Sequence, residues 1–411
     1  MSEHIHVPIR AKKRMKEIMT HYFLEAFDAR NQGKKVAWIT SGGPVEPLLA
    51  MDIIPIYPEN HGAMIGAAKM GEEMCRAAEE MGYCGDLCSY ALSDIACSRG
   101  KQGPIGMLPP PDMLICCNNI CSTVVKWYEI QARYFKVPLF VLDCPMNHEG
   151  FSPVVEAYIE RQFEEFFHFL SQICGRPFSR ERLEEVGRLS YKAQLLWQRV
   201  LDTTTHSPAP MSAFDAFFHL ALIVTLRGRE VCVEYYSELL QEMEERIEKG
   251  ICAVPGERFR LLWDNLPIWY NTRWLSEEFA RYGATLVADT YTSAWCSTLS
   301  YIDPSDFSSS LARAYGRIYL NLGIDMMAEQ VVDMIRRYNV DGLVMHSNRS
   351  CKPYSFGQYY IQDVVKEKTG IGVLILESDM LDQRNFTEAQ IQSRIGAFME
   401  LLEQQKQKRS T

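Results

Sequence analysis

Apolar positions in the first 150 residues fall into short unbroken runs separated by stretches of helical spacing. The runs are 34–40 (KKVAWIT), 53–57, 113–117 and 137–143, and the spacing between them predicts helices over 8–31, 61–82 and 122–135. Continuous apolar runs alternating with helices indicate parallel strands covered on both faces. From about 153 to 250 the strand runs stop, and helical spacing takes over at 153–173, 179–200, 212–227 and 229–249. A Ser/Thr/Pro cluster at 203–210 (TTTHSPAP) breaks that series, as such residues do. The strand pattern then returns at 259–263, 285–288, 342–346 and 371–377, with a last helix over 387–405.

The two strand-rich stretches echo each other. Asp112, an apolar run, Asn118 and Cys121 are matched by Asp341, an apolar run, Asn348 and Cys351, each followed by a helix. The next strand ends on an acid both times, at Asp143 and Glu377, and Trp38 and Trp263 stand near the ends of earlier strands. A whole strand–NxxC–helix–strand unit recurring some 230 residues later implies a duplicated architecture. The expected fold is α/β, with two similar doubly wound parallel-sheet domains at 33–152 and 257–411. A helical linking region at 153–256 lies between them, and an N-terminal helical segment at 1–32 precedes them.

Composition narrows the functional classes. The chain has 411 residues, 47% apolar and 23% charged, with a net charge of −9 and no basic tract, which argues against a nucleic-acid partner. Residues 1–16 lack a signal-peptide apolar core, and no segment reaches the roughly 18 uncharged apolar residues of a membrane span. A cytoplasmic protein with reduced thiols is therefore expected, so its 13 cysteines should pack, bind metal or do redox chemistry rather than form disulfides. Gly42-Gly43 after the first strand does not extend to GxGxxG, which disfavours a nicotinamide cofactor.

Functional groups of open parallel sheets gather at the carboxyl ends of strands. Cys121 and Cys351 fall there, at helix starts, where amides and the helix dipole favour thiolate. Cys88 is the best third thiolate, and three thiolates would leave one iron of a cubane open, the mark of a catalytic rather than structural centre. Buried structural thiols fit the same spacing equally well. Cys174 and Cys232 read as core filler, Cys116 and Cys117 as packing residues, and Cys84 as a thiol behind the site or on the surface. Ser41 fits a helix cap or a functional hydroxyl, and Glu59 a turn carboxylate or a proton carrier. His346 could line a cleft or fill a wall, and His61 and His206 are open in the same way.

The stretches TSGGPVEP, YPEN, GYCGDLCSYA, LICCNNIC, HSNRSCK and ESDMLDQRNFT resemble, in order, the 2-hydroxyacyl-CoA dehydratase family, which includes the ATP-dependent benzoyl-CoA reductases. The resemblance runs from about residue 30 to the C-terminus and is to the subunit that carries the substrate-binding cluster. It implies a [4Fe-4S] cluster on Cys88, Cys121 and Cys351, Ser41 beside the open iron, and Glu59 in the substrate pocket. It also implies an acyl-CoA thioester substrate, a paralogous second subunit forming a heterodimer, and a separate ATP-hydrolysing iron–sulfur activator protein. The activity so implied is oxygen-sensitive loss of water from an (R)-2-hydroxyacyl-CoA to give a 2-enoyl-CoA. One injected electron makes a ketyl radical that expels the α-hydroxyl and acidifies the β-proton. Two other readings stand beside it: a benzoyl-CoA reductase-type subunit that uses the same ligands on an aromatic acyl-CoA, and, from another class, a non-catalytic double-cubane-type electron-transfer protein. The further cysteines at 75, 84, 97 and 144 leave a cluster of higher nuclearity open.

Overall fold

A computed structural model describes residues 7–410, so the first six residues of the predicted N-terminal segment lie outside the described residues. The first sheet consists of β1 (Val36–Ile39), β2 (Ile54–Ile56), β3 (Met113–Cys117) and β4 (Leu139–Leu142), all parallel, in the order β2-β1-β3-β4. The second consists of β5 (Phe259–Asp264), β6 (Ala284–Asp289), β7 (Gly342–Asn348) and β8 (Gly372–Ser378), also parallel, in the order β6-β5-β7-β8. The two orders are identical once β5 is set against β1. Every residue of β1, β2, β3, β5 and β6 is buried, and β7 is buried except at Ser347, whereas the edge strands β4 and β8 are partly open. This is the pattern of two doubly wound sheets covered by helices.

The repeated acids perform the same task in both sheets. Asp112 accepts the Val36 N–H at 2.8 Å and donates its own N–H to the Val36 carbonyl at 2.8 Å. Asp341 does the same with Arg260, at 2.9 Å and 2.7 Å. The repeated asparagines also agree: Asn118 Oδ1 accepts the Cys144 N–H at 2.7 Å, and Asn348 Oδ1 accepts the Met380 N–H at 3.3 Å. Each ties the loop carrying its cysteine to the segment after the next strand. The tryptophans are not equivalent, however. Trp38 pairs with Leu114 on β3, whereas Trp263 pairs with Val344, one position farther along β7, so the two rings belong to opposite faces of their sheets.

Between the sheets the chain is helical, at Pro153–Cys174, Arg180–Asp202, Ala213–His219, Ala221–Thr225 and Glu230–Glu248. Ser152, Ser179 and Ser212 cap three of these helices, Ser212 through a reciprocal box with Asp215. The helix Ala11–Asp28 packs on Glu230–Glu248, where the Glu242 carboxylate receives the N–H groups of Arg10 and Ala11 at 2.6 and 2.9 Å. The region 61–82 holds two helices rather than one, Pro58–Ala67 and Gly71–Glu80, divided where Lys69 turns left-handed at φ +60°. Gly71 presses on the second sheet unit: a Cβ there would stand 2.0 Å from the Leu381 carbonyl oxygen. Among the described residues no helix is long and apolar enough to cross a membrane.

Candidate functional site

The carboxyl ends of both sheets open on one cavity of about 770 Å³, a size suited to a small organic ligand. Residues just beyond β1 (Ser41), β2 (Glu59), β3 (Cys121), β5 (Leu266), β6 (Tyr291), β7 (Cys351) and β8 (Met380) all line it, as does Cys88. Seven strands from two sheets thus deliver side chains to a shared crevice.

Glu59 sits in the first turn of the helix Pro58–Ala67, with proline at N1, where a missing N–H costs nothing. Its carboxylate accepts the Ser41 N–H at 2.7 Å and the Ser41 hydroxyl at 3.0 Å. Burial pushes the Glu59 carboxyl up to about 7, although both Ser41 bonds pull it down. The buried Asp94 carboxyl adds to the rise. A group so poised can take and return a proton near neutral pH. Gly42, next to Ser41, allows the turn to close: a Cβ there would meet Ile120 Cγ2 at 2.5 Å. Asn119 Nδ2 donates to the carbonyls of Gly42 and Tyr315 at 3.0 and 2.9 Å, holding the Ser41 turn against the loop that carries Cys121.

The three cysteines share one local design. Cys88 stands at the N-cap of the helix Ser89–Ser98 and faces the amides of Tyr90 and Ala91. Cys121 precedes the helix Thr123–Phe135 and faces the amides of Thr123 and Val124. Cys351 stands at the N-cap of Lys352–Ser355 and faces the Tyr354 amide. Ser89 and Ser350, neighbours of Cys88 and Cys351, join through a buried hydroxyl–hydroxyl contact of 3.1 Å, which fixes one thiol loop against the other. The amides expected from the helix starts are present, but burial outweighs them. It pushes the Cys351 thiol up to about 12 and raises those of Cys88 and Cys121. Cys88 and Cys351 are also raised by the neighbouring thiols. Three half-buried thiols brought together in this way form a poor site for free, mutually repelling thiolates and a good one for a cationic metal centre that neutralises them. Among the described residues no three His, Cys, Asp or Glu side chains could hold a single metal ion. A cubane is far wider than one ion and takes its thiolates at separate corners, so three thiols that line one cavity from three separate loops would suit the larger group.

The other cysteines stand elsewhere. Cys75, Cys97, Cys116, Cys117, Cys144 and Cys232 are buried, Cys97 against Met74 and Cys117 against Cys144, each at 3.9 Å, and Cys84 is exposed. None of these lines the cavity. Cys174, the last residue of its helix, is half-buried and packs against the core without being fully enclosed in it. His346 is buried behind the site, with Nδ1 against the Leu266 carbonyl at 2.6 Å. His61 is buried and His206 exposed, and none of the three histidines lines the cavity.

Sequence reasoning missed the rest of the wall. Trp269 donates to the Tyr90 hydroxyl at 2.5 Å, and Phe217 and Tyr291 pack edge-on or tilted against Trp269 and one another. The same lining includes a buried polar knot, in which Glu46 accepts from Ser190 at 2.5 Å and from the Tyr315 hydroxyl at 2.5 Å. Arg227 stands 3.4 Å from Glu46 and donates to the Gly43 carbonyl at 2.8 Å. The one available signal was Arg227 itself, a cation closing the apolar run ALIVTL.

The family profile described as 2-hydroxyglutaryl-CoA dehydratase, D-component, matches residues 40–402. Similar proteins include the (R)-2-hydroxyisocaproyl-CoA dehydratase alpha subunit of Clostridioides difficile, 33% identical, covering 95% of this chain and 95% of that protein. The alpha subunit of lactoyl-CoA dehydratase from Anaerotignum propionicum is also 33% identical, over 92% of this chain and 93% of its own length. A benzoyl-CoA reductase subunit of Thauera aromatica is 28% identical, over 96% of this chain and 94% of its own length.

Proposed function

The chain belongs to the 2-hydroxyglutaryl-CoA dehydratase D-component family, and from that premise we propose that it is the substrate-cluster subunit of an (R)-2-hydroxyacyl-CoA dehydratase. The observation that carries the reading is the Ser41–Glu59 pair beside Cys88, Cys121 and Cys351 in one cavity. The three thiolates would hold a [4Fe-4S] cluster, each sulfur facing helix-start amides. So bound, the cluster would supply one-electron chemistry and an open coordination position, as a ketyl-radical elimination requires.

The chain's own residues supply the rest. Loss of water breaks the β-carbon–hydrogen and α-carbon–oxygen bonds, and the β-proton ends on the departing hydroxide, so the reaction is redox-neutral overall. Glu59, ionised, accepts the β-proton and hands it to the hydroxide. Ser41 couples to that transfer. While Glu59 is ionised the Ser41 hydroxyl donates to it at 3.0 Å. Once Glu59 is protonated it can donate to Ser41 Oγ, which frees the Ser41 hydrogen for the substrate oxygen. Apolar walls exclude water and strengthen each of these contacts.

The remaining partners of the reading are a paralogous second subunit, an ATP-hydrolysing iron–sulfur activator and an acyl-CoA thioester, in a cytoplasmic heterodimer. The likeness to a benzoyl-CoA reductase subunit keeps ring reduction of an aromatic acyl-CoA as the second reading. One experiment separates them: turnover counted against ATP with activator present. The dehydratase should complete many eliminations per ATP, because the electron returns each cycle. Consumption of ATP in fixed proportion to product would assign the reductase.

A further inference from the structure

Resting on the acyl-CoA reading above, we propose that this cavity selects neutral, apolar acyl groups of branched-aliphatic or aromatic type and rejects acyl groups that end in a carboxylate. Two features of the wall carry the inference. The first is the aromatic group beside the site. Tyr90 lies two residues after Cys88, its ring packs on Gly62, three residues after Glu59, and a Cβ at Gly62 would stand 2.6 Å from it. Trp269 is hydrogen-bonded to the same Tyr90, and Phe217 and Tyr291 have ring centroids 6.3 and 6.2 Å from Trp269. These rings come from both sheet units and the helices between them, so they form a preshaped apolar surface next to the reacting groups.

The second feature is charge. Among the described residues two cations line the cavity, Lys16 and Arg227, and two carboxylates, Glu46 and Glu59. Lys16 is solvent-exposed on the helix Ala11–Asp28, where Leu24 and Phe27 are exposed as well, so the cavity is open on that side. The pantetheine arm must leave through an open side, which assigns the buried interior to the acyl group. There the cation of the pair, Arg227, is already committed to Glu46, to the Gly43 carbonyl and to the Tyr315 hydroxyl at 3.2 Å. It also lies 5.3 Å from the Trp295 ring. A carboxylate on the acyl chain would be buried with no free counter-charge and with Glu46 and Glu59 for company. Uncompensated burial of that kind is strongly unfavourable.

The test is equilibrium binding to the assembled enzyme without ATP, read by tryptophan fluorescence. The probes are two unreactive thioesters, 3-phenylpropionyl-CoA and glutaryl-CoA. The expected result is at least tenfold tighter binding of the phenyl thioester. Glu46→Gln, which releases Arg227, should narrow that gap at least threefold by improving glutaryl-CoA alone. Should that variant fold poorly, the wild-type comparison decides by itself. Equal affinities, or preference for glutaryl-CoA, overturn the inference and leave the dehydratase reading intact. Binding of neither thioester overturns both.

Discussion

Replacing Ser41 by alanine removes one hydroxyl and leaves its backbone N–H on Glu59 at 2.7 Å, so the carboxylate keeps its place and loses one of its two Ser41 bonds. A hydrogen bond to a charged group is worth roughly 1.5–3 kcal/mol. That bond favours the ionised form of a carboxyl that burial already holds near about 7. Its loss should move the acid limb of the rate profile roughly one to two pH units higher and slow turnover at neutral pH by about ten- to hundredfold. The assay is elimination rate from pH 6 to 9 with activator and ATP in excess, so that electron supply does not limit, alongside iron content. Iron should be unchanged, because Ser41 is not a ligand in this account. An unmoved acid limb would refute the Ser41–Glu59 coupling. Loss of iron would make Ser41 structural.

Glu59→Gln keeps the shape but cannot accept a proton, so kcat should fall by about a hundredfold or more while thioester affinity changes little; unchanged turnover would remove Glu59 from the mechanism. Because the folded state raises the Glu59 carboxyl to about 7, the neutral form stabilises the fold and that contribution is lost as pH rises through about 7. Thermal unfolding midpoints should therefore vary less between pH 5 and 8 in Glu59→Gln than in wild type. Cys232→Ala, in a fully buried position outside the cavity, should cost about 1–2 kcal/mol in denaturant unfolding and keep all iron. Arg227→Met strands the buried Glu46 carboxylate and should destabilise by roughly 3–5 kcal/mol; a change under about 1 kcal/mol would show the pair to be unimportant.

The sheets are legible in the sequence because most of their strands are buried on both faces and read as unbroken apolar runs, bounded by acids that clamp the neighbouring strand. Family motifs point to Ser41 and Glu59 separately, but their hydrogen bond is not legible, since nothing in local spacing brings residues 18 apart into contact. The helix Ser89–Ser98 is hidden because its polar Ser and Asp residues are buried, which blurs the amphipathic period. Pro58 reads as a strand's end, though it also opens a helix and so sets Glu59 in a first turn. Trp38 and Trp263 mislead because similar position along a strand does not fix register. The cavity wall of Phe217, Trp269 and Tyr291 is made by packing across distant segments, which no periodicity encodes.

The central claim is that Cys88, Cys121 and Cys351 together hold one cubane. The direct test is iron and acid-labile sulfide in protein isolated without oxygen, wild type beside Cys351→Ala, whose thiol comes from the second sheet unit while the other two come from the first. The account predicts about four irons and four sulfides per chain in wild type, bleaching in air, and loss of both from the variant. A full iron complement in Cys351→Ala, zinc in place of iron, or about eight irons per wild-type chain would contradict it.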